Sequence, residues 1–355
     1  MTPMRPGWDT LRVILAAGIQ APSADNRHGL RYAVDADRVR LVATDRTSWA
    51  SLPHRRMLDE MAFGAVIENI VLKSLEFGLA VELDLHRDPA QPDVVATLQW
   101  SAAAPGAGDP LSGAIATRHT NRRFYRRERV DASALKHLTQ AAASIEGAEL
   151  RWLDAPDLRA CALRAIRLAE TERFRRPALH AELFGAVRFD VGWQRTVDEG
   201  LPPAALEVES PARAVFAMLR EWRVMRVANL FGAHLALGLR AGFLPCATAP
   251  HLGLVSACAG DDHSGALRAG RAFQRVWLAA DAAGLALQPM AASTALARQV
   301  PGNGWVCAPT HAKLQALLEV MRAGARAEPY MLFRIGRARA PSGVAARKPL
   351  HSYVS

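Results

Sequence analysis

The chain carries the same helical pattern twice, at a constant offset of 206 positions. In each copy apolar residues recur at spacings of three and four, which predicts a helix of about five turns. A glycine ends each pattern, as is typical of a left-handed helix terminus, and the apolar residues that follow it predict a strand. Two related halves explain the pattern, and coincidence between two alanine-rich helices is the alternative. The matching residues are Gly64, Leu72, Gly78, Leu79 and Ala80 in the first copy, and Gly270, Leu278, Gly284, Leu285 and Ala286 in the second.

The first half, residues 1–100, has the pattern of an α+β unit. It predicts a helix over 10–19, a pair of strands within 31–43 and a strand over 94–100, in addition to the long helix. Residues 101–117 are rich in alanine, glycine and proline, and we interpret them as a linker.

The second half, residues 118–355, contains similar elements and one addition. A helix is predicted to begin after Asp131, whose side chain can cap the first turn. A strand over 149–153 and a helix over 160–176 follow. Residues 177–211 mix aromatic residues with a pair of prolines and have no counterpart in the first half. We interpret them as an insertion that can cover a site.

The distribution of the basic residues decides between two interpretations of the charge. A net charge of +10 and a pI near 10.2 would suit a nucleic-acid-binding protein. Nearly all the basic residues are arginines, however, and they are scattered without a long basic block. Half of the residues are hydrophobic and 22% are charged, which is ordinary for a globular protein. We therefore expect a globular protein that does not bind nucleic acid.

Cysteines and apolar stretches bear on the compartment. The four cysteines show no Cys-x-x-Cys spacing, which predicts free thiols in a reducing cytoplasm. The first nine residues lack the apolar core of a signal peptide. Residues 241–260 are long enough to span a membrane, but Pro245 and Pro250 interrupt them, which predicts a buried strand and loop. We expect a cytoplasmic protein without a membrane span or a membrane partner.

A basic motif at residues 118–124 has the donors that a phosphate group needs. Arg118, His119, Thr120 and Arg122 place four hydrogen-bond donors within five positions. A terminal phosphate offers three acceptor oxygens and about two negative charges, which suit the planar fork of arginine and a threonine hydroxyl. The motif therefore predicts a phosphate site, and an exposed basic turn is the alternative.

A second motif, Ala-Pro-Ser-Ala-Asp-Asn at residues 21–26, follows a predicted helix. Pro22 ends that helix and leaves backbone amides and the Ser23 hydroxyl free. The side chain of Asn26 offers both a donor and an acceptor, which suits the pyrimidine edge of a flavin, where N–H and C=O groups alternate. An ordinary polar turn is the alternative.

These two motifs resemble the flavin-binding motifs of the nitroreductase superfamily, whose members build each FMN site from two subunits. Their basic motif, Arg-Arg/His-Ser-x-Arg/Lys-x-Phe, holds the FMN phosphate; here Thr120 replaces the serine and Phe124 keeps the pattern. Their second motif continues Asn-x-Gln-Pro-Trp, whereas residues 26–30 here read Asn-Arg-His-Gly-Leu, which alters the expected contacts to the isoalloxazine ring and the substrate.

The order of the motifs implies one composite FMN site within a single chain. In the superfamily the basic motif opens the chain, whereas here it comes second, and each motif occurs once. The chain is similar to the Acg-like subgroup of nitroreductases, in residues 118–122, 269–278 and 334–337. The resemblance implies an α+β fold with antiparallel sheets flanked by helices. It also implies an intramolecular pseudo-dimer in place of a homodimer, which leaves further dimerisation open.

Further site residues are implied late in the chain. Gln288 and Pro289 follow the second repeated helix, where superfamily members supply backbone groups near the flavin; a buried strand end is the alternative. Superfamily members also return late basic residues to the phosphate, which is the role expected of Arg347 and Lys348. A solvated tail is the alternative for these two residues.

Together these observations predict an FMN-dependent oxidoreductase that uses NAD(P)H to reduce nitro compounds, quinones or similar small acceptors. Because the cofactor carries such chemistry, no catalytic side chain is predicted, and the histidines show no metal-binding cluster. The insertion is expected to place Phe184, Phe189 and Trp193 over the flavin. Two alternatives stay open: an FMN-sequestering protein with a lid and little turnover, and a basic interaction module without a cofactor.

Overall fold

Two antiparallel sheets of four strands each have the same strand order in this computed structural model. The first contains β1 (Leu30–Val34), β2 (Val39–Ala43), β3 (Leu79–Asp84) and β4 (Val94–Ala102), in the order β1-β2-β4-β3. The second contains β5 (Ala148–Trp152), β6 (His251–Ala257), β7 (Ala286–Pro289) and β8 (Glu328–Gly336), in the order β5-β6-β8-β7. The structure describes residues 6–44, 52–85, 90–104, 106, 108–193, 195–258, 262–299, 301, 305–322 and 324–355.

Helices flank both sheets, so the fold class is α+β, as predicted. In chain order they are α1 (Trp8–Gly18), α2 (Pro53–Glu76), α3 (Ala132–Ala143), α4 (Pro156–Arg175), α5 (Pro177–Gly185), α6 (Arg213–Met218), α7 (Trp222–Leu230), α8 (Ala233–Gly238), α9 (Leu244–Ala247), α10 (Asp262–Ala282), α11 (Ala292–Leu296) and α12 (Ala308–Arg322). Helices α4 to α9 all lie between β5 and β6, and we call residues 153–250 the covering segment.

The two long helices α2 and α10 cross at the glycines that the repeat shares. A Cβ atom on Gly64 would lie 2.1 Å from the carbonyl oxygen of Leu267, and one on Gly270 would lie 2.0 Å from that of Met61. Because only glycine fits at either position, the two helix backbones can approach each other closely. The repeat therefore marks the contact between the two halves.

Buried polar groups also join α2 to α10. The carboxylate of Glu68 accepts hydrogen bonds from Arg271 Nε at 2.8 Å and Arg275 Nη1 at 2.7 Å. Gln274 Nε2 donates to Asn69 Oδ1 at 2.7 Å. Such pairs fix the register between the helices because sliding one helix would leave buried groups without partners.

Beyond this contact the two sheets differ in how they are covered. In the first sheet, β2 alternates buried and half-buried residues, so one face packs on α1 and α2. In the second sheet β6 is buried at every position. One face of that sheet packs with α3 and α10, and the other packs with α4 and α12.

The predicted ends of both repeated helices are confirmed, and two other predictions need correction. Gly78 and Gly284 have φ values of 68° and 67°, in the left-handed region expected of a helix terminus. Asp131 makes no capping hydrogen bond, and its carboxylate lies 3.7 Å from Arg337 instead. Within the predicted linker, β4 extends to Ala102, and a short 3₁₀ turn (Pro110–Ala114) packs into the core; residues 105 and 107 lie outside the described ranges.

The covering segment is much longer than the predicted insertion at 177–211. It joins β5 to β6, whereas β1 and β2 are joined by residues 35–38 alone. Within residues 241–260, predicted as a buried strand and loop, residues 241–247 are helical and the buried strand is β6. No single described helix has the length and apolar composition to cross a membrane. The helical stretches Trp222–Leu230 and Ala233–Ala247 together have that length and composition, but they bend by 99° at their junction.

The C-terminal residues return to the first half. Tyr32 N donates to the Tyr353 carbonyl at 2.7 Å, and Ser355 N donates to the Tyr32 carbonyl at 3.0 Å. Val354 thereby forms a parallel bridge with Tyr32 at the edge of the first sheet. This crossing carries the preceding residues 342–348 past the end of α1.

Candidate functional site

A cavity of about 490 Å³ lies where the two halves and the covering segment meet, within the size range of small-molecule sites. All but one of the predicted site residues line it. Lys348 is the exception, because its ammonium group pairs with Glu199 instead. The predicted residues that line the cavity are Pro22, Ser23, Asn26, Arg118, His119, Thr120, Arg122, Gln288, Pro289 and Arg347.

The turn at residues 21–26 is held in an unusual backbone conformation. Asp25 and Asn26 have φ values of 57° and 54°, in the left-handed region that few residues other than glycine adopt. The side chain of Asn26 fixes this turn: its Nδ2 group donates to the carbonyls of Asp198, Gly200 and Ala346 at 3.1–3.3 Å. The donors of Asn26 are therefore already engaged.

Arg347 completes the same clamp. Its Nη1 group donates to Asn26 Oδ1 at 2.7 Å, and its Nε and Nη2 groups donate to the carbonyls of Ile19 and Ala21 at 3.0 and 2.9 Å. These acceptors follow the C-terminal end of α1, where a cation is favoured. Asn26 and Arg347 both line the cavity, and both also hold protein groups in place there. Their expected roles against a flavin and against a phosphate stay predictions.

Arg118 is buried and incompletely bonded. Its Nη2 group donates to the Gln20 carbonyl at 3.1 Å, and its guanidinium stacks over the Trp277 ring at 4.5 Å. Its Nε group and the Oγ of Ser23 are both buried without a hydrogen-bond partner among the described residues. Burial and the nearby charge of Arg347 lower the pKa of Arg118 to about 9, although Asp281 opposes the shift.

The rest of the basic motif lies along β7. Asn121 N donates to the Leu287 carbonyl at 3.1 Å, which anchors the motif beside that strand. His119 Nδ1 hydrogen-bonds the Thr117 carbonyl at 2.7 Å, which leaves its Nε2 atom for a ligand. Arg122 Nη1 donates to the Ala205 carbonyl at 3.2 Å, and burial lowers its pKa. None of the described carboxylates forms an ion pair with Arg118, Arg122 or Arg347.

Arg334 is a buried arginine that the sequence did not single out as a site residue. Its Nε group donates to Gln288 Oε1 at 2.8 Å and its Nη2 group donates to the Arg123 carbonyl at 2.8 Å. The guanidinium also stacks over Tyr125 at 3.9 Å. Arg334 therefore joins β7, β8 and the basic motif. The sequence signal that could have identified it is an arginine within an apolar run that predicts a strand.

The covering segment borders the cavity, but not through the predicted aromatic residues. Phe184 and Phe189 pack against each other and Phe216, and Trp193 lies under Arg213 at 4.9 Å. None of Phe184, Phe189 and Trp193 lines the cavity, so their expected position needs correction. The residues of 177–211 that line the cavity are Leu179, Glu182, Leu183, Leu201, Ala205, Leu206, Glu207, Val208 and Glu209.

A latch joins this cover to the C-terminal residues. The carboxylate of Glu207 accepts hydrogen bonds from Ser342 N at 2.5 Å and Ser342 Oγ at 2.8 Å. Ala346 N donates to the Val197 carbonyl at 2.8 Å. Two chain segments distant in sequence therefore close over the cavity together.

Opposite charges balance each other at another part of the cavity. Arg55 Nε lies 2.5 Å from Glu182 Oε1, and Arg55 Nη2 lies 3.4 Å from Asp25 Oδ2. Burial alone would raise the pKa of Glu182, but the hydrogen bond with His54 and the charges of Arg55 and Arg173 outweigh it and lower the pKa. The charges of Asp281 and Asp25 partly offset those of Arg118 and Arg122, but no described carboxylate forms an ion pair with either arginine, so the cavity favours a ligand with an anionic end.

Comparison with known proteins gave limited similarity. No family model matches the chain. The Mycobacterium tuberculosis (strain CDC 1551 / Oshkosh) protein "Uncharacterized protein MT1398" is 25% identical over 358 residues, which cover 97% of this chain and 48% of that protein. The chain therefore spans about half the length of the curated relative it matches.

Among solved structures, a nitroreductase with bound FMN from Bacteroides fragilis NCTC 9343 aligns with a TM-score of 0.34 and 14% identity, over 65% of this chain and 89% of that one. The FMN-dependent nitroreductase NfnB from Mycobacterium smegmatis, in complex with NADPH, aligns with a TM-score of 0.32 and 16% identity, over 63% and 86%. Both resemblances are loose.

Proposed function

We propose that this chain is an FMN-dependent oxidoreductase that uses NAD(P)H to reduce nitro compounds, quinones or similar small acceptors. The observation that carries the proposal is the group of buried, incompletely bonded polar atoms around Arg118. A guanidinium without a carboxylate partner, beside a serine hydroxyl without any partner, is costly unless an anion completes the group. The phosphate of FMN supplies such an anion, so the residues present fit the cofactor.

Each part of the site has a defined role in this proposal. Arg118 and Ser23 bind the phosphate, and His119, Thr120 and Arg122 add donors from the same motif. Asn26 and Arg347 hold the turn at residues 21–26 in place through their mutual hydrogen bond. Gln288, fixed by Arg334, keeps its Nε2 group without a partner among the described residues, so it can donate to a polar ring edge. Bound FMN would supply hydride acceptance and electron transfer.

We further propose that the two halves arose by internal duplication and form an intramolecular pseudo-dimer. The shared strand order and the crossing of α2 and α10 at Gly64 and Gly270 support this proposal. Each half contributes one of the two motifs, so the proposal gives one FMN site per chain. In the second half, the residues after α3 turn directly into β5 and offer no Ala-Pro-Ser motif.

The closed cover supports a second candidate, an FMN-sequestering protein with little turnover. The Glu207–Ser342 latch and the contact between Val197 and Ala346 join the cover to the C-terminal residues beside the cavity and would restrain its opening over a bound ligand. Slow exchange of nicotinamide and acceptor would follow from such a cover.

Two measurements test these proposals on the purified protein. Flavin released by denaturation should amount to one FMN per chain; no flavin, even after incubation with FMN, would contradict the proposal, and two would contradict the half-site arrangement. NADPH oxidation with a soluble quinone acceptor then separates the two candidates. Sustained turnover supports the oxidoreductase, whereas a flavin-loaded protein without turnover supports sequestration.

A further inference from the structure

Helices α6 to α8 expose an unusual amount of apolar surface. Leu230 is 81% exposed and Phe231 is 88% exposed at the turn between α7 and α8. Each of the three helices also packs residues against a shared aromatic cluster. Their inward faces are therefore covered, and the exposed apolar residues lie on their outward faces. We call Met218, Val224, Val227, Leu230, Phe231 and Leu235 the apolar surface.

Arginines border this surface with little acidic balance. Between residues 213 and 240 the sequence has five arginines and one acidic residue, Glu221. Glu221 pairs with Arg220 at 3.5 Å. Arg223 and Arg226 are exposed on α7 and pair with no described carboxylate. Helix α7 therefore presents apolar and cationic side chains together toward solvent.

We propose that the apolar surface docks on an anionic lipid surface, with Leu230 and Phe231 entering the boundary between headgroups and acyl chains. Amphipathic helices with arginines beside exposed apolar residues bind such boundaries, and the long arginine side chains reach the headgroups. This differs from the sequence-based expectation of no membrane partner. The helices lie on the lipid in this proposal and do not span it.

Charge decides between a lipid surface and a second copy of the chain. In a symmetric dimer through this surface, the same arginines of both copies would be brought together, and each chain carries a net charge of +10. Anionic headgroups instead complement these charges, each contributing about a fivefold gain in affinity at the surface. The observed combination therefore favours lipid.

The cavity lies next to the proposed lipid-docking surface, which bears on how a substrate reaches it. Val215, Phe216 and Leu219 of the same region line the cavity, and Val215 is also exposed. The lining of the cavity therefore borders the apolar surface. If the proposed oxidoreductase function holds, on which this step alone rests, its acceptor is a lipophilic quinone that enters from the lipid.

The docking is tested with the full chain and sedimented vesicles of phosphatidylcholine with phosphatidylglycerol in roughly equal amounts, compared with phosphatidylcholine alone. The wild type should sediment with the anionic vesicles. Leu230→Gln with Phe231→Gln should abolish binding, and Arg223→Gln with Arg226→Gln should weaken it about 25-fold. The matched controls are Val13→Gln with Val320→Gln and Arg12→Gln with Arg31→Gln, which change exposed residues elsewhere and should bind like the wild type.

Three results would overturn the proposal. The first is no binding to anionic vesicles, and the second is equal loss in the test and control variants, which would indicate unspecific adsorption of a basic protein. The third is a dimer without lipid that Leu230→Gln with Phe231→Gln dissociates, which would assign the surface to a second copy. Because sedimentation requires no flavin or turnover, failure of the proposed function leaves this result readable.

The acceptor step has its own measurement. In a flavin-loaded protein, Leu230→Gln with Phe231→Gln should slow the reduction of a vesicle-embedded quinone at least tenfold and leave that of a soluble quinone unchanged. Equal rates with both quinones in both proteins would contradict entry from the lipid.

Discussion

The two halves share a strand order but differ in the connection between their first two strands. In the first half, residues 35–38 form a short turn between β1 and β2. In the second half, the equivalent connection between β5 and β6 is the covering segment, residues 153–250. One sheet therefore has an open face, and the other is buried on both faces.

This difference explains how a repeated framework can hold one site. The shared helices α2 and α10 both line the cavity, but the two motifs come from segments that are not repeated. The turn at residues 21–26 belongs to the first half, and the basic motif and the cover belong to the second. Four predictions test whether the two halves differ in this way.

The largest effect should come from the motif that only the second half carries. Arg118→Ala together with Arg122→Ala removes two charge-assisted hydrogen bonds, each contributing about 1.5–3 kcal/mol, so FMN affinity should fall at least about a hundredfold. Flavin fluorescence titration measures it. Arg126→Ala with Arg127→Ala, two exposed arginines of the same segment, is the control that should leave affinity unchanged. Full flavin retention in the first variant would place the phosphate elsewhere.

The crossing glycines test whether the halves are equivalent in packing. Gly64→Ala and Gly270→Ala each force a methyl group against a facing backbone carbonyl, and each should cost about 1–3 kcal/mol or more of unfolding free energy. Chemical denaturation measures both. Gly185→Ala, where a Cβ would meet nothing within 4 Å, should be neutral or stabilising. A large cost at one crossing glycine alone would break the equivalence.

The latch tests what the covering segment does. Glu207→Ala removes the acceptor for both Ser342 hydrogen bonds, so the cover should open more often and the flavin should be reduced by NADPH on the order of ten times faster. Stopped-flow bleaching of the flavin band measures the rate. Glu209→Ala is the control, because Glu209 pairs with Arg240 inside the covering segment. Equal rates in all three proteins would show that the latch does not limit access.

The smallest effect concerns the stability of the flavin-free protein. A buried arginine with a lowered pKa destabilises the folded state below that pKa, so the penalty is present at pH 7 and fades as the pH rises above about 9. Arg118→Met should therefore raise the melting temperature by roughly 2 °C or more at pH 7, and less at pH 10. Differential scanning calorimetry of flavin-free samples measures it.

Arg334 provides the contrast for this prediction. It is also buried, and burial lowers its pKa too, but Gln288 Oε1 and the carbonyls of Arg123 and Pro245 accept its hydrogen bonds. Arg334→Met leaves these acceptors unpaired and should lower the melting temperature. A stabilising Arg334→Met or a destabilising Arg118→Met would contradict the distinction between the two arginines.

Local patterns in the sequence predicted much of the fold. The glycine ends of the repeated helices follow from local chain geometry, and the β1–β2 pair follows from two apolar runs around a short turn. Helix α4 was predicted over residues 160–176, but the extent of the covering segment did not follow, because α5 to α9 are short and give no long periodic pattern. Asp131 failed as a cap because Arg337, distant in sequence, lies near its carboxylate.

For the site, residue type predicted location better than role. Arginine, serine and asparagine in short motifs indicated which segments meet at the cavity. Which hydrogen bonds these side chains form depends on distant carbonyls. The Ile19 carbonyl accepts from Arg347, and the Ala346 carbonyl accepts from Asn26. No spacing rule within either motif contains that information.

The hydrogen bond between Asn26 and Arg347 joins positions 321 residues apart, and this separation orders events in time. Closing so large a loop adds little to the equilibrium cost, since that cost grows only with the logarithm of loop length. During synthesis, however, Asn26 has no arginine partner at first, because Arg347 is added to the chain much later. On the ribosome the first sheet and α2 can form while the turn at residues 21–26 still lacks its clamp. In the proposed function, binding of FMN therefore follows translation of residue 347 and the return of the chain to α1.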